Sequence, residues 1–337
     1  MKIVELIAGT GKSKILIGEK VRNISKYIPE NTIIIIDKNV NKFFGKYFEK
    51  YSVIVIEPGE QSKSIRTIEK ICKQLLEYKA DRSTFLLGIG GGVVTDITGF
   101  VASTFKRGLR FGYVSTTLLG QVDASIGGKN GINFGGLKNI IGTINQPEFI
   151  ISDISTLKSL PKNEIINGLA EIIKTALIAD KKLIDKIEEN YQSIINLEAN
   201  ILQEIILSIA KIKTDIVQKD EKENGLRRIL NFGHTFGHAI ELTNGISHGE
   251  AISIGMLKAL KMSVDILKLD FNIYNRVKNL LEKISLPVSV YYDIDKLENA
   301  IFSDKKVFTD KIKFVLLKDI GKPQIQDITL DELREYL

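Results

Sequence analysis

The chain is nearly devoid of cysteine. Cys72 is the one thiol in 337 residues, which excludes an internal disulfide and fits a reducing, cytoplasmic setting. No apolar run approaches the roughly 18 residues of a membrane span, so no membrane association is expected. The first residues, MKIVELIAG, lack a basic segment followed by an apolar core, and no signal peptide is expected there. Basic runs interleaved with aromatics are missing, and with them the usual signature of nucleic-acid binding. Internal repeats and low-complexity linkers are also absent. Histidine is the scarce residue that says most. Three occur in the whole chain, and all stand between positions 234 and 248.

What is present is ordinary for a soluble protein: 44% hydrophobic and 26% charged residues, enough length for two domains with cores of their own. The formal net charge of +6 suits an anionic ligand, and suits equally well lysines spread over solvated helix faces.

Residues 223–250, ENGLRRILNFGHTFGHAIELTNGISHGE, hold the histidines. His234 and His238 are four apart and share a face if helical. The apolar spacing predicts a helix over 228–242, with Gly233 and Gly237 permitting close approach to that face. A short loop at 243–247, containing Asn244 and Gly245, lets His248 fold back on the same place. Such a cluster reads as a metal site or an acid–base site. The spacing is near that of the H-E-x-x-H zinc helix, but Thr235 follows His234, so the glutamate base of those proteases is missing and a protease is excluded.

The first half alternates short β-branched runs with helical periodicity. Strands are predicted at 33–36, ending in Asp37, at 52–56, at 84–89 and at 113–114, with helices at 64–78 and 93–105. This is the pattern of a parallel α/β sheet, which binds nucleotides at the carboxyl ends of its strands. Gly88-Ile89-Gly90-Gly91-Gly92 lies at one strand-to-helix turn, where bare N–H groups and a helix N-terminus can hold a phosphate. As a G-x-G-x-x-G fingerprint it fails, since Val93 holds the last position. From Asp123 the stretch DASIGGKNGINFGGLKNIIGTINQP is too glycine-rich to predict regular structure. Its Lys129 and Lys138, beside Asn139, read as an anion-binding loop.

Beyond Leu160 helical patterns dominate. One helix is expected over 161–179 with Glu171 and Lys174 on one face, another tract over about 193–219, and a strand at 313–317. A domain boundary is placed near Leu160, giving 1–160 as an α/β domain and 161–337 as a mainly helical one.

The motifs GGGVVTD (90–96), STTLLGQVDASIGGKNGIN (115–133), GLKN (136–139), NGLAEIIKTALI (167–178), KTDIVQKDEKENGLRRILNFGHTFGHAIE (213–241), SHGEAISIGM (247–256) and DKK (304–306) resemble the 3-dehydroquinate synthase family. The likeness runs over nearly the whole chain and is weakest before about residue 30 and after 320. The resemblance implies a parallel-sheet NAD-binding core followed by a metal-binding helical domain, and the conversion of 3-deoxy-D-arabino-heptulosonate 7-phosphate to 3-dehydroquinate and phosphate. On that resemblance the conversion would proceed by transient oxidation of the substrate by NAD, phosphate elimination, reduction and intramolecular aldol closure. It implies Glu171, His234 and His248 as ligands of one Zn²⁺ or Co²⁺, with His238 catalytic rather than a ligand. It implies NAD contacts from Asp37, Glu60, Lys63, Gly91, Gly92, Asp96, Thr116 and Thr117, joined by Lys129, Lys138 and Asn139. The phosphorylated sugar acid would meet Asp123, Lys129, Asn139, Lys174, Lys213, Arg227, Asn231, His238 and Lys305 or Lys306. Arg107 resembles a residue passed across a homodimer interface into the partner's site. Two other readings remain: another sugar phosphate cyclase, in which the positions of Arg227, Asn231 and His238 would differ, and a metal-dependent polyol dehydrogenase of the glycerol type, which would need no Lys/Arg cage.

Overall fold

The computed structural model describes residues 1–305 and 311–337, the side chains of 303–305 excepted. Two compact units divide it: Met1–Pro161 with Leu202–Lys222, and Lys162–Ile201 with Glu223–Leu337. A single boundary near residue 160 would assign Leu202–Lys222 to the helical half. It groups instead with the first unit, and polar contacts show why. Ile7 N donates to Gln218 Oε1 (2.9 Å), Gln146 Nε2 to Glu221 Oε1 (2.9 Å), and Lys213 Nζ to the Asp123 carbonyl (2.6 Å).

The first unit contains β1 (Lys2–Ala8), β2 (Gly11–Ile17), β3 (Thr32–Asp37), α1 (Lys38–Phe44), β4 (Ser52–Ile56), α2 (Ile65–Glu77), β5 (Phe85–Gly90), α3 (Gly92–Thr104), β6 (Arg110–Ser115), β7 (Lys129–Phe134), β8 (Leu137–Ile144) and β9 (Phe149–Ser152). Seven strands form one sheet in the order β1-β2-β9-β6-β5-β3-β4. The β1–β2 hairpin is antiparallel, and the other pairings are parallel. Strands covered on both faces read as unbroken apolar runs, and Ile33, Ile34, Ile35 and Ile36 are all buried.

The stretch after Asp123, expected to lack regular structure, is ordered. A π-helical turn, Gly120–Ala124, leads into an antiparallel pair, β7 with β8. The glycines that suggested a loop sit where the pair needs them. Gly127 (φ 108) and Gly128 (φ 73) steer the chain in, and Gly135 (φ 60) and Gly136 (φ 80) make the two-residue turn.

The second unit holds α4 (Lys162–Ala179), α5 (Lys181–Ile195), the start of α6 (Ala199–Lys219), α7 (His234–Asn244), α8 (His248–Leu267), α9 (Phe271–Lys283), α10 (Ile294–Lys305), β10 (Lys311–Asp319), β11 (Lys322–Thr329) and α11 (Leu330–Arg334). The tract expected over 193–219 is two helices, broken at Leu197 (φ 58). β11, KPQIQDIT, carries little apolar pattern and takes its strand form from pairing with β10. The helix expected over 228–242 begins later, at His234. Residues Leu226–Asn231 form a 3₁₀ turn, and Gly233 (φ 78) resets the chain. Among the described residues no helix is long and apolar enough to cross a membrane.

Candidate active site

In the first unit the chain runs from β3 outward to β4 and then returns to the other side of β3 as β5. The order therefore reverses between β3 and β5, and such a reversal opens a crevice beyond the carboxyl ends of the two strands. Asp37 ends β3 there and accepts from Val40 N (2.9 Å) as the cap of α1. Gly90 ends β5. A Cβ on Gly90 would lie 3.1 Å from Asp37 Oδ2 and 2.4 Å from Val94, and one on Gly91 would lie 2.8 Å from Thr117 Cγ2. The crowding leaves no room for side chains at the turn, so the N–H groups that start α3 stay bare. Thr116 N donates to the Gly90 carbonyl (2.9 Å), which brings Thr116 and Thr117 to the same rim.

A polar cluster lies beside this turn. Lys63, itself buried, places Nζ 2.6 Å from Asp96 Oδ2 and 3.8 Å from Glu60 Oε1, and donates to Asn139 Oδ1. Asn133 Nδ2 donates to Glu60 (2.8 Å), and Asn139 N to Asn133 Oδ1 (2.9 Å), so the β7–β8 pair is tied to the cluster. Asn139 takes φ 53, a conformation asparagine tolerates better than most. Burial raises the Asp96 carboxyl to about 6 although Lys63 pulls it down. Burial likewise raises Asp37, against two backbone N–H groups that lower it. Lys213 Nζ meets Asp123 Oδ1 at 2.5 Å.

In the second unit, α4, α7 and α8 converge. Glu171 on α4 is fully buried, and Lys174, one turn on, lies 2.6 Å from its Oε2. Its Oε1 faces His248 Nε2 at 3.0 Å and His234 Nε2 at 3.4 Å. Donor atoms of these three residues all lie within 4.8 Å of one another. A carbonyl can only accept, so the contact of His234 Nδ1 with Phe232 O (3.2 Å) puts the proton on Nδ1 and leaves Nε2 for the site. Burial disfavours the Glu171 charge, but Lys174, His234 and His248 outweigh it and keep the carboxyl well below its ordinary range. Burial drives His234 well below the usual imidazole value, with Lys174 acting in the same sense. His248 moves the other way, up to about 10: burial opposes its charge, but Glu171 and Glu241 hold the proton.

Two imidazole Nε2 atoms and one buried carboxylate converging on a small space suit a divalent cation that keeps a position open for other ligands. The donors fit such an ion. His238, exposed on α7, has its ring 5.0 Å from that of His234 and 6.1 Å from that of His248. Arg227 is buried in the 3₁₀ turn, and Asn231 donates to Glu223.

The other expected residues fall as follows. Lys129 opens β7 and is exposed, as is Lys138 on β8. Arg107 is exposed at the far end of α3, in the left-handed region (φ 70) between Lys106 (φ 49) and Gly108 (φ 123). Lys305 ends α10, but its side chain, and Lys306 altogether, lie outside the described residues. Sequence reasoning missed Glu241, whose Oε2 lies 3.2 Å from His248 Nδ1, and Asn167, whose Oδ1 accepts from Gly249 N. Both were within reach of spacing arguments: Glu241 is i+3 from His238, and Asn167 is i−4 from Glu171.

By fold the chain falls in the class of the sugar phosphate cyclases. It is similar over 99% of its length to a 2-deoxy-scyllo-inosose synthase solved with carbaglucose-6-phosphate, NAD⁺ and Co²⁺ (TM-score 0.88, 24% identity, 98% of that chain). It is similar over 96% to the 2-epi-5-epi-valiolone synthase of Streptomyces hygroscopicus subsp. jinggangensis, solved with NAD⁺ and Zn²⁺ (TM-score 0.88, 26% identity, 94% of that chain). Within that class the chain belongs to the 3-dehydroquinate synthase family. Residues 53–167 match the 3-dehydroquinate synthase N-terminal domain and 168–307 the C-terminal domain. The 3-dehydroquinate synthase of Acetivibrio thermocellus is 44% identical over 312 residues, covering 89% of this chain and 86% of that one.

Proposed function

We propose that the protein catalyses the reaction of its family, converting 3-deoxy-D-arabino-heptulosonate 7-phosphate to 3-dehydroquinate and phosphate. The observation that carries the reading is the convergence of Glu171, His234 and His248 in a chain that matches the family over residues 53–307. The first unit is the NAD-binding domain and the second the metal- and substrate-binding domain. Glu171, His234 and His248 would hold Zn²⁺ or Co²⁺. Asp37, Glu60, Lys63, Gly91, Gly92, Asp96, Thr116, Thr117, Lys129, Lys138 and Asn139 would meet NAD. When bound, NAD supplies a reversible hydride transfer and the cation a positive centre for the substrate's oxygens.

The chain's own residues supply the remainder. The bare N–H groups at the start of α3 receive the cofactor's phosphates. Lys174 keeps Glu171 ionised, and so keeps it a ligand. Arg227 and Lys213 bind the substrate's carboxylate, for which a guanidinium offers two parallel donors. Lys129, Asn139 and Lys305 complete the anion cage, and Asp123 orients Lys213. His238, exposed beside the ligand histidines, moves a proton at the substrate, and Asn231 positions a hydroxyl. The protein is cytoplasmic and acts as a homodimer in which Arg107 completes the partner's phosphate site, without nucleic-acid or membrane partners.

The test is phosphate release from the heptulosonate, with and without a chelator. Turnover should stop on chelation, return with Zn²⁺ or Co²⁺, and proceed without NADH accumulating. Full activity in metal-free protein would overturn the metal assignment. Equal turnover of sedoheptulose 7-phosphate, which lacks the carboxylate, would overturn the substrate.

A further inference from the structure

The two ligand histidines hold their outer nitrogens in different ways. His234 Nδ1 is 3.2 Å from a backbone carbonyl, that of Phe232, which the chain fixes without a side chain. His248 Nδ1 is 3.2 Å from Oε2 of Glu241, a half-buried carboxylate three residues after His238 on α7. The opposite nitrogen, Nε2, faces Glu171 at 3.0 Å. A carboxylate can only accept, so when Nε2 is given to a cation shared with Glu171, Glu241 keeps the ring's remaining proton on Nδ1. Without that acceptor the ring could turn about its Cβ–Cγ bond, or move its proton to the nitrogen that must bind the cation.

We infer that Glu241 is a positioning residue for the metal centre: it fixes the tautomer and orientation of His248 and is not itself a ligand. The inference rests on the metal reading proposed above. Glu241 also lies with His238 and His248 in a second group whose donor atoms fall within 4.8 Å of one another. In that group Glu241 Oε2 meets His248 on its Nδ1 side, across the ring from the Nε2 that faces Glu171. The fully buried Glu171 and the orientation of His234 both favour the Nε2 side. Carboxylate partners of this kind raise the basicity of a metal-bound imidazole as well as aligning it.

The experiment measures Co²⁺ affinity by competition with a chromophoric chelator on the whole protein, together with the visible Co²⁺ spectrum and the melting temperature of the metal-free form. Glu241→Met keeps the side-chain length but offers no acceptor, while Glu241→Gln keeps a carbonyl oxygen that can take the Nδ1 proton. The Met variant should bind Co²⁺ roughly 10- to 100-fold more weakly, with an altered spectrum and an unchanged metal-free melting temperature. The Gln variant should recover most of the loss. Wild-type affinity in the Met variant overturns the inference. Equal losses in Met and Gln also overturn it, because a ligand role would not be rescued by a neutral amide. If the Met variant does not fold, Glu241→Ala takes its place under the same criteria. His234→Ala is the reference: if it too binds Co²⁺ like wild type, the metal reading fails first, whereas loss there with none at Glu241 defeats this inference alone.

Discussion

Beside Lys63, the carboxyl of Asp96 keeps its proton up to about pH 6, above the ordinary value of 3.8, because burial costs the charged form more than Lys63 returns. A carboxyl whose folded pKa is raised stabilises the fold below its unfolded pKa and loses that contribution as pH climbs through the folded one. Stability should therefore fall between about pH 4 and pH 6 by on the order of 3 kcal/mol from this group. Asp96→Asn also removes the partner of a buried lysine, so its absolute stability is not the readout. Denaturant titrations at pH 4.5 and 7 should show a smaller drop in the variant than in wild type, and equal drops would refute the assignment. At this scale the histidines were legible because a residue type used three times and confined to fifteen positions signals a shared task. Glu171 was not legible in the same way. It lies 63 positions before His234; spacing put it on one helix face with Lys174, and only the resemblance made it a ligand. Spacing could place Glu241 on the face of His238, but nothing in a sequence marks that it meets the outer nitrogen of His248.

The metal donors depend on how closely α7 and α8 approach, and glycine sets that distance. A Cβ on Gly255 would lie 2.1 Å from the Gly233 carbonyl and 2.8 Å from Gly237 N, backbone atoms with little freedom to yield. Gly255→Ala should cost about 3 kcal/mol or more, the upper end of what overpacking costs, and weaken metal binding as His234 and His248 are forced apart. The measurement is the urea midpoint, and an unchanged midpoint would mean the helices do not meet this closely. Asn167 adds a polar tie, accepting from Gly249 N and so locking the start of α8, with His248, to the helix that carries Glu171. The strands of the parallel sheet could be read from the sequence because burial on both faces demands unbroken apolar runs. The β7–β8 pair could not, because its glycines announced turns while its strands advertised little. β11 could not either, since its partner decides its form.

For the whole molecule the decisive test concerns Arg107. It stands at the opposite end of α3 from the glycine turn, roughly 20 Å along a helix of 13 residues. It is thus poorly placed to serve the phosphates that turn would hold. If it completes a partner's site, mixing an Arg107→Ala protein with a Lys129→Ala protein, each nearly inactive, should restore activity once subunits exchange. A mixed dimer has one site with both defects and one with neither, so recovery should approach half of wild type per exchanged dimer. Demonstrated exchange without recovery would place the work of Arg107 within its own subunit or nowhere.

The sequence alone determined the α/β-then-helical order, the glycine turn and the histidine cluster. Each depends on local periodicity, on backbone freedom or on residue scarcity, all of which are written along the chain. It did not decide that Leu202–Lys222 groups with the sheet-bearing unit, that Lys63 reaches Asp96 and Asn139, or that Glu241 faces the outer nitrogen of His248. Those contacts join residues that spacing does not relate, or select one of two atoms on a single ring. Only packing of the elements in three dimensions brings such groups within hydrogen-bonding distance.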